Sequence, residues 1–166
     1  MIIGIVCVDR NWGIGKKNDL LFHLKKDMEF FKNTTMDSIV FCGYNTLLSF
    51  PGSKPLKHRS TICLCPEGIE RDDCFCVHDF NTAVKLVKEL AKTKNVYVIG
   101  GAMLYKSMLS HYDEVLVTKV DADGEAEVFF PNLDECLDFK ARCVSSCEDM
   151  GYNTSFWTYN RIGDAV

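Results

Sequence analysis

Three short apolar runs constrain the fold of this 166-residue chain more than any other feature. They lie at residues 1–8, 38–42 and 95–99, and each is followed by a glycine or a polar turn. Near-continuous apolar runs rich in valine and isoleucine are typical of strands covered on both faces, as in a parallel sheet. Predicted helices alternate with the predicted strands, as amphipathic stretches at residues 25–33 and 81–90 and as a further helix at residues 102–109. This alternation predicts an α/β fold with a doubly wound, mostly parallel central sheet.

The remainder of the chain adds shorter strands and loops to this pattern. Residues 60–65, 75–77 and 113–120 are predicted strands, and residues 9–23, 50–58 and 121–131 are predicted loops. Residues 139–146 and 155–160 predict an antiparallel C-terminal hairpin that turns near residues 149–151. Asn81 is the predicted cap of the helix at residues 81–90. No repeat or linker interrupts the chain, so we expect one domain over residues 1–166.

Composition excludes several classes of protein. Hydrophobic residues make up 47% of the chain and charged residues 25%, which is typical of a globular domain. A net charge of −4 argues against a nucleic-acid partner held by bulk electrostatics. No apolar stretch is long enough to span a membrane, and the first eight residues lack the pattern of a signal peptide. We therefore expect a cytoplasmic protein with no membrane partner.

The nine cysteines raise the question of disulfides or metal. An odd number without a secretion signal favours free thiols. Cys63 with Cys65, and Cys74 with Cys76, are spaced two apart, whereas zinc knuckles use a spacing of three. Residues two apart on a strand share one face, so these pairs are interpreted as small apolar residues of the sheet. We expect no metal site.

One charged residue lies on the apolar side of the first helix. Leu24, Met28 and Phe31 recur at helical spacing, and Asp27 belongs to the same stripe. A carboxylate that faces apolar groups is costly unless it is paired, so chains that keep one often use it. The alternative is an ordinary acid in the first helical turn, where exposed amides favour it. The glycine-rich loop before the helix favours a functional site.

The loops after Val8, Cys42 and Ile99 all lie at the carboxyl ends of predicted strands. Ligands of doubly wound folds bind at these ends. Gly43 after one strand, and Gly100 with Gly101 after another, let a backbone approach a ligand and can present amides to an anion. Either could also be an ordinary connection between a strand and a helix.

Residues 13–32 resemble the mobile loop and first long helix of the dihydrofolate reductase family. The matching residues there are Gly13, Ile14, Gly15, Asn18, Leu20, His23, Leu24, Asp27, Phe31 and Lys32. The resemblance continues over nearly the whole chain through Gly43 and Thr46, Pro55, Leu56 and Arg59, Ile99 to Gly101 and Tyr105, Thr118 and Asp121, and Phe130 with Pro131. It departs at Leu21 and Phe22, where the family usually has proline and tryptophan.

The resemblance implies an enzyme that transfers a hydride from NADPH to 7,8-dihydrofolate and gives 5,6,7,8-tetrahydrofolate. Such an enzyme supports one-carbon and thymidylate metabolism. It is expected to be a monomer and to bind antifolate inhibitors of the methotrexate and trimethoprim type.

The substrate site is also implied by the resemblance. Asp27 should accept hydrogen bonds from the 2-amino group and N3 of the pterin, and Thr118 should orient that carboxylate. Arg59 should hold the α-carboxylate of the glutamate tail. The full set of implied substrate contacts is Ile5, Asp27, Met28, Phe31, Lys32, Phe50, Leu56, Arg59, Ile99 and Thr118.

Leu20 joins Asp27 and Thr118 among the implied catalytic residues, because its loop should close over the nicotinamide and admit the water that protonates N5 of the pterin. The peptide between Gly100 and Gly101 is cis in the family. The implied cofactor contacts are Cys7, Ile14, Gly15, Asn18, Leu20, Gly43, Tyr44, Asn45, Thr46, Cys65, Pro66, His78, Ile99, Gly100, Gly101, Ala102, Met103, Leu104 and Tyr105.

The residues expected around the 2′-phosphate of NADPH depart from the family pattern. Tyr44 stands where arginine is common, and Cys65 with Pro66 stand where serines are common. His78 can supply only a partial charge near neutral pH. We therefore expect NADH to be a weaker or comparable hydride donor.

Two other functions remain open at this point. One is a reductase of the same fold that acts on a pyrimidine intermediate of riboflavin synthesis, against which Asp27, Thr118 and Arg59 argue. The other is a folate- or dinucleotide-binding protein with little turnover. The altered phosphate site favours that second alternative, whereas Asp27, Phe31 and Arg59 together disfavour it.

Overall fold

The computed structural model describes residues 1–163, and its centre is an eight-stranded sheet. The strands of the sheet are β1 (Ile2–Val8), β4 (Ile39–Gly43), β5 (Ser60–Leu64), β6 (Phe75–Val77), β7 (Val96–Val98), β8 (Glu114–Val120), β10 (Phe139–Asp149) and β11 (Tyr152–Arg161). Their order is β10-β11-β8-β1-β7-β4-β5-β6. The six strands from β8 to β6 are parallel, and β11 and β10 add an antiparallel hairpin at one edge. The predicted fold class is confirmed.

Helices cover both faces of this sheet. They are α1 (Lys25–Thr35), α2 (Tyr44–Ser49), α3 (Phe80–Ala91) and α4 (Ala102–Ser107). Successive residues of β7 show why both faces need cover, because Val96 and Val98 pack on the side of α3 and α4, while Tyr97 packs on the side of α1. Short 3₁₀ turns lie at Pro51–Ser53, Leu109–His111 and Leu133–Glu135. None of the helices within residues 1–163 combines the length and apolar character needed to cross a membrane.

A second, small sheet lies in the segment predicted as the loop at residues 9–23. It consists of β2 (Gly13–Lys16) and β3 (Asp19–Leu20), joined by β9 (Val128–Phe129) from the segment predicted as the loop at residues 121–131. The loop prediction was therefore wrong for these residues. One of the two pairing partners of β2 is its neighbour β3, and the other, β9, is more than a hundred residues away in sequence, so no local pattern could reveal that second pairing.

The ends of several predicted elements also differ from the structure. The cap of α3 is Asp79 rather than Asn81, because the Asp79 carboxylate accepts the amide of Thr82 at 2.9 Å. The helix α4 ends at Ser107, and a 3₁₀ turn continues the predicted helix. The C-terminal hairpin is confirmed and its strands are longer than predicted, with Met150 and Gly151 in the left-handed conformations that two-residue hairpin turns require.

The cysteine pairs are part of the apolar packing beside α2. Cys63 and Cys65 are buried there, and Cys74 and Cys76 pack against them. In the sheet register Cys63 lies between Cys42 of β4 and Cys76 of β6. All nine cysteines are free thiols, and burial raises the pKa of Cys74 to about 12. The interpretation of the two pairs, Cys63 with Cys65 and Cys74 with Cys76, as small apolar residues is confirmed.

Candidate active site

The carboxylate of Asp27 is paired. It lies in the first turn of α1, half-buried, and its Oδ1 accepts a 2.6 Å hydrogen bond from the hydroxyl of Thr118 in β8. Thr118 is 2% exposed and stands opposite Cys7 of β1 in the sheet. A half-buried carboxylate held by a buried hydroxyl is not a solvated first-turn acid, so the structure favours the functional interpretation of Asp27.

The pKa of the Asp27 carboxyl is raised above its ordinary value. Burial is the main cause, and the negative charge of Asp149 adds to it. Hydrogen bonds from Thr118 and Cys7 act in the opposite direction because they favour the ionised form. The site therefore holds a carboxylate that takes up a proton more readily than a surface aspartate.

An apolar wall continues from Asp27 toward the neighbouring strands. Ile99, just after β7, packs against both the cluster that contains Phe31 and the cluster that contains Phe50. Met28 follows Asp27 in α1 and is 56% exposed. Ile5 is buried in β1, and Leu56 is half-buried. Exposed apolar side chains beside a paired carboxylate suit a flat, partly aromatic ligand with a polar edge.

Arg59 lies beyond the C-terminal end of α1. Its Nε donates to the hydroxyl of Thr35 at 3.1 Å, and that hydroxyl donates to the carbonyl of Phe31. Within residues 1–163 no carboxylate forms an ion pair with the guanidinium. Arg59 is thus anchored at one nitrogen, and the rest of its planar fork can bind an acid. Lys32 is exposed in the last turn of the same helix.

Glycines form a close backbone contact between the ends of β4 and β7. The amide of Gly43 donates to the carbonyl of Gly100 at 2.9 Å, and the Gly100–Gly101 peptide is cis. A Cβ on Gly101 would lie 3.3 Å from the hydroxyl of Thr46, and Gly100 has a φ of 125°. Gly43 and Gly101 are the N-cap residues of α2 and α4 and provide no side-chain cap, so the uncapped N-termini of both helices meet at this contact.

A sequence model of the dihydrofolate reductase family matches residues 1–161. The chain belongs to the dihydrofolate reductase family. The dihydrofolate reductase of Staphylococcus haemolyticus is 29% identical in an alignment of 160 positions that covers 95% of this chain and 94% of the relative. The viral dihydrofolate reductase of Saimiriine herpesvirus 2 (strain 488) is 29% identical in an alignment of 178 positions, gaps included, that covers 95% of this chain and 84% of the relative. The dihydrofolate reductase of Schistosoma mansoni is 34% identical in an alignment of 149 positions that covers 78% of this chain and 77% of the relative.

Membership of the dihydrofolate reductase family makes the protein an oxidoreductase that reduces dihydrofolate to tetrahydrofolate with a nicotinamide cofactor. The glycine contact fits such a cofactor, since amides without side-chain caps and the absence of Cβ atoms leave room for a pyrophosphate. The side chains of Leu104 and Tyr105 are buried in the core, and the Tyr105 hydroxyl donates to the carbonyl of Ile5 at 2.7 Å. Met103 is 85% exposed, and Ala102 begins α4.

The mobile loop of the family is a short hairpin in this chain. Gly15 pairs with Leu20 and Lys16 with Asp19, and the turn between them has Lys17 and Asn18 in the left-handed conformation. Ile14 is half-buried, whereas Leu20 is 58% exposed. The segment that carries Ile14, Asn18 and Leu20 is therefore a paired hairpin in this structure, with Leu20 exposed on its surface.

The residues predicted around the 2′-phosphate lie beside basic side chains that are already paired. Gly43, Leu64 and Val77 lie side by side at the ends of their strands, so the next residues, Tyr44, Cys65 and His78, emerge together. The His78 ring is 2.7 Å from Glu70 through Nε2 and 3.1 Å from the carbonyl of Pro66 through Nδ1, and the contact with Glu70 raises its pKa. Arg71 forms a bidentate pair with Asp73 and also donates to the carbonyl of Ser53.

Sequence reasoning missed two buried aspartates that accept backbone amides of the loop before α1 and of α1 itself. Asp9 is 3% exposed, and its carboxylate accepts the amides of Asn11, Gly13 and Gly124 at 2.7–2.9 Å. Asp149 is 2% exposed and accepts two amides of α1. An Asp directly after a strand was a signal for a local turn at Asp9, whereas nothing in the sequence pointed from Asp149 to a helix 122 residues away.

A separate cavity of about 510 Å³ lies beyond the carboxyl ends of β1 and β8 and contains none of the predicted site residues. Its lining includes Lys119, whose ammonium group lies over the rings of Trp12 and Trp157 and pairs with Asp134 at 3.1 Å. The cavity therefore lies apart from Asp27 and is not part of the candidate active site.

Proposed function

We propose that the protein reduces 7,8-dihydrofolate to 5,6,7,8-tetrahydrofolate with NADPH as the hydride donor, in support of one-carbon and thymidylate metabolism. The observation that carries this proposal is the 2.6 Å hydrogen bond from Thr118 to the half-buried carboxylate of Asp27. Membership of the family supports the reaction and the use of a nicotinamide cofactor. The choice of NADPH and the roles of individual residues go beyond that and are proposals.

Asp27 would bind the pterin through its 2-amino group and N3. Two donors on one planar edge suit the two oxygens of a carboxylate. The hydroxyl of Thr118 already occupies one lone pair of Oδ1, so the carboxylate is oriented before the substrate arrives. Such preorganisation avoids the cost of ordering the carboxylate during the reaction.

A bound nicotinamide would supply the hydride. The protein must exclude bulk water from the site and still let one proton reach N5 of the pterin. Asp27 would polarise the ring and so favour a proton at N5. Leu20, exposed on its hairpin, would cover the nicotinamide and admit a single water as the proton donor. The pterin would lie against Phe31 and Ile99, with the backbone carbonyl of Ile5 beside it.

The glutamate tail of the substrate would run past Phe50 and Leu56 to Arg59. Arg59 has a guanidinium that is anchored to Thr35 and carries no ion pair within the described residues 1–163. An arginine fork held in this way can form a bidentate pair with the α-carboxylate. Lys32, exposed on the same helix, would add a weaker attraction.

We also propose that the preference for NADPH over NADH is weak. No free cation is in place for a 2′-phosphate among the residues described, because His78 contacts Glu70 and Arg71 pairs with Asp73. A 2′-phosphate at Tyr44, Cys65 and His78 would meet the carboxylate of Glu70, whereas a ribose hydroxyl can donate to it. Among the predicted contacts, Asn45, Thr46 and the glycines would hold both cofactors equally.

The test is the loss of reduced-nicotinamide absorbance with NADPH and dihydrofolate, for the wild type and Asp27→Asn. Turnover in the wild type that collapses in the variant would support the reaction and the role of Asp27. Glu29→Gln, on the exposed side of α1, is the matched control and should keep wild-type turnover. Tight binding of methotrexate without any turnover would refute the reductase and leave a folate-binding protein.

Three further expectations belong to this proposal: binding of antifolate inhibitors, action as a monomer and a cytoplasmic location. The free thiols are in keeping with a reducing compartment. Sedimentation of the purified protein with and without methotrexate tests the first two together, and a dimer at micromolar concentration would refute the monomer.

A further inference from the structure

We propose that Asp149, at the end of β10, is a positioning residue that sets the place of Asp27 from outside the substrate site. The proposal rests on the proposed role of Asp27. Oδ2 of Asp149 accepts the backbone amide of Asp27 at 3.1 Å and that of Lys26 at 2.9 Å. The carboxylate is 2% exposed, so these hydrogen bonds are shielded from water.

The helix α1 needs this contact because it lacks a cap of its own. Its N-cap residue is Leu24, whose side chain cannot accept a hydrogen bond. The first amides of a helix have no hydrogen-bond partner inside the helix, and in α1 two of these amides donate to Asp149. Lys26 adds a second link, since its Nζ donates to the carbonyl of Glu148 at 2.8 Å. The first turn of α1 is thus fastened to the hairpin.

The turn that carries Asp149 is well suited to hold a fixed position. Met150 and Gly151 have φ values of 52° and 86°, and Asp149 pairs directly with Tyr152 across the turn. The ring of Tyr152 packs edge-on against Phe22 at 4.9 Å, and Phe22 is the last aromatic residue before α1. The same turn therefore holds the end of the active-site loop and the start of the helix.

The next residues of the hairpin reach the partner of Asp27. Phe156 of β11 stands opposite Thr118 of β8 and packs against Phe30 of α1 at 5.1 Å. Asp27 and Thr118 come from separate elements, and the hairpin contacts both of those elements. A shift of the hairpin would change the distance between the carboxylate and the hydroxyl, and so the orientation of the pterin-binding edge.

Asp149 also acts on Asp27 through its charge. The polar groups that face the Asp27 carboxyl are Thr118 from β8, Cys7 from β1 and Asp149 from β10. After burial, the charge of Asp149 is the second influence that raises the pKa of Asp27, against the hydrogen bonds from Thr118 and Cys7 that lower it. Positioning and charge can be separated by experiment, because asparagine keeps an acceptor oxygen and removes the charge.

The experiment compares Asp149→Asn, Asp149→Ala and the control Glu148→Gln. Glu148 is the adjacent exposed carboxylate, and only its backbone oxygen contacts α1. We expect Asp149→Asn to move the inflection of Asp27 toward lower pH, both in the pH profile of kcat/KM for dihydrofolate and in a carbon-13 titration of the unliganded protein. Asp149→Ala should also lower kcat/KM about tenfold, because a misplaced binding group costs rate steeply. Glu148→Gln should change neither.

Two results together would overturn the proposal. The first is that the pH of the Asp27 inflection is the same in Asp149→Asn as in Glu148→Gln. The second is that Asp149→Ala is less stable than the wild type and has an unchanged kcat/KM. If Asp149→Ala does not fold, kcat/KM of Asp149→Ser, which shortens the side chain that accepts the amides of Lys26 and Asp27, tests the positioning in its place, and the titration of Asp149→Asn still tests the charge. Asp27→Asn, measured in parallel, identifies the inflection by its absence. Retained turnover in Asp27→Asn would refute the proposed role of Asp27 itself. If turnover is lost in Asp27→Asn while the Asp149 variants keep the wild-type inflection and kcat/KM, only the positioning by Asp149 is refuted.

Discussion

At the scale of single residues, the stability of the folded protein and its function make opposite demands on Asp27. Burial disfavours the ionised carboxylate, while the hydrogen bonds from Thr118 and Cys7 favour it, and burial prevails. A raised pKa in the folded state means that the folded protein binds this proton more tightly than the unfolded chain does. Stability from this group is therefore present at low pH and is lost as the pH rises through the folded pKa. At neutral pH the ionised Asp27 opposes folding.

We accordingly predict that Asp27→Asn stabilises the unliganded protein at pH 7 while it lowers kcat/KM about a hundredfold or more. Asparagine keeps an oxygen for the Thr118 hydroxyl and removes the buried charge. The measurement is urea unfolding from pH 3.5 to pH 8, with Glu29→Gln as the control. The gain over the wild type should shrink as the pH falls toward about 4, the ordinary pKa of an aspartate. A variant that is less stable at pH 7 would contradict the prediction.

Glu70 supports a second prediction at the same scale. Its carboxylate lies 2.7 Å from the His78 ring and so places a negative charge beside the proposed position of the 2′-phosphate, the group by which the two cofactors differ. We predict that Glu70→Gln improves the dissociation constant of NADPH relative to NADH by about threefold at pH 6, where a freed imidazole is largely charged. Glu67→Gln, in the same acidic turn, is the control. Fluorescence quenching measures both constants without turnover, and equal ratios in the wild type and Glu70→Gln would be the contrary result.

At the scale of elements, Asp9 joins the active-site loop to the segment before β9. Its Oδ1 accepts the amides of Asn11 and Gly13, and its Oδ2 accepts that of Gly124. Two further contacts join the same segments, since a Cβ on Gly124 would lie 2.8 Å from Leu21 and the amide of Glu127 donates to Gly15. The loop is therefore packed at both of its ends against one neighbouring segment.

We predict that Asp9→Ala costs about 3 kcal/mol of unfolding free energy, because it leaves buried amides without an acceptor. Asp121→Asn breaks an exposed contact with Arg10 in the same region and should cost less than about 1 kcal/mol. Equilibrium unfolding in urea measures both. The Asp9 variant should also raise the KM for the cofactor, and a loss of stability equal to that of Asp121→Asn would argue against the buried carboxylate as the main link.

Across the whole molecule, prediction from the sequence succeeded where neighbouring residues carried the signal. The strands β1, β4 and β7 were indicated by apolar runs, and the half-buried position of Asp27 by its place in a helical stripe, whereas its role stays a prediction. Prediction failed where the partner was distant, as for the pairing of β2 with β9 and for the capping of α1 by Asp149. Local sequence patterns indicate whether a residue is buried, but they do not indicate which distant group forms its hydrogen bonds.

The prediction of one domain over residues 1–166 implies that the protein unfolds in a single cooperative step. Residues 164–166 of that range lie outside the described residues. One sheet contains strands from both ends of the chain, and Arg161 near the C-terminus donates to the carbonyls of Tyr112 and Leu109. We predict one unfolding transition in urea, at the same midpoint by far-UV circular dichroism and by tryptophan fluorescence. Both tryptophans, Trp12 and Trp157, lie around Lys119, so fluorescence reports one corner of the molecule while dichroism reports all of it. Midpoints that separate would show that the sheet unfolds in parts, and a midpoint that rises with protein concentration would contradict the monomer.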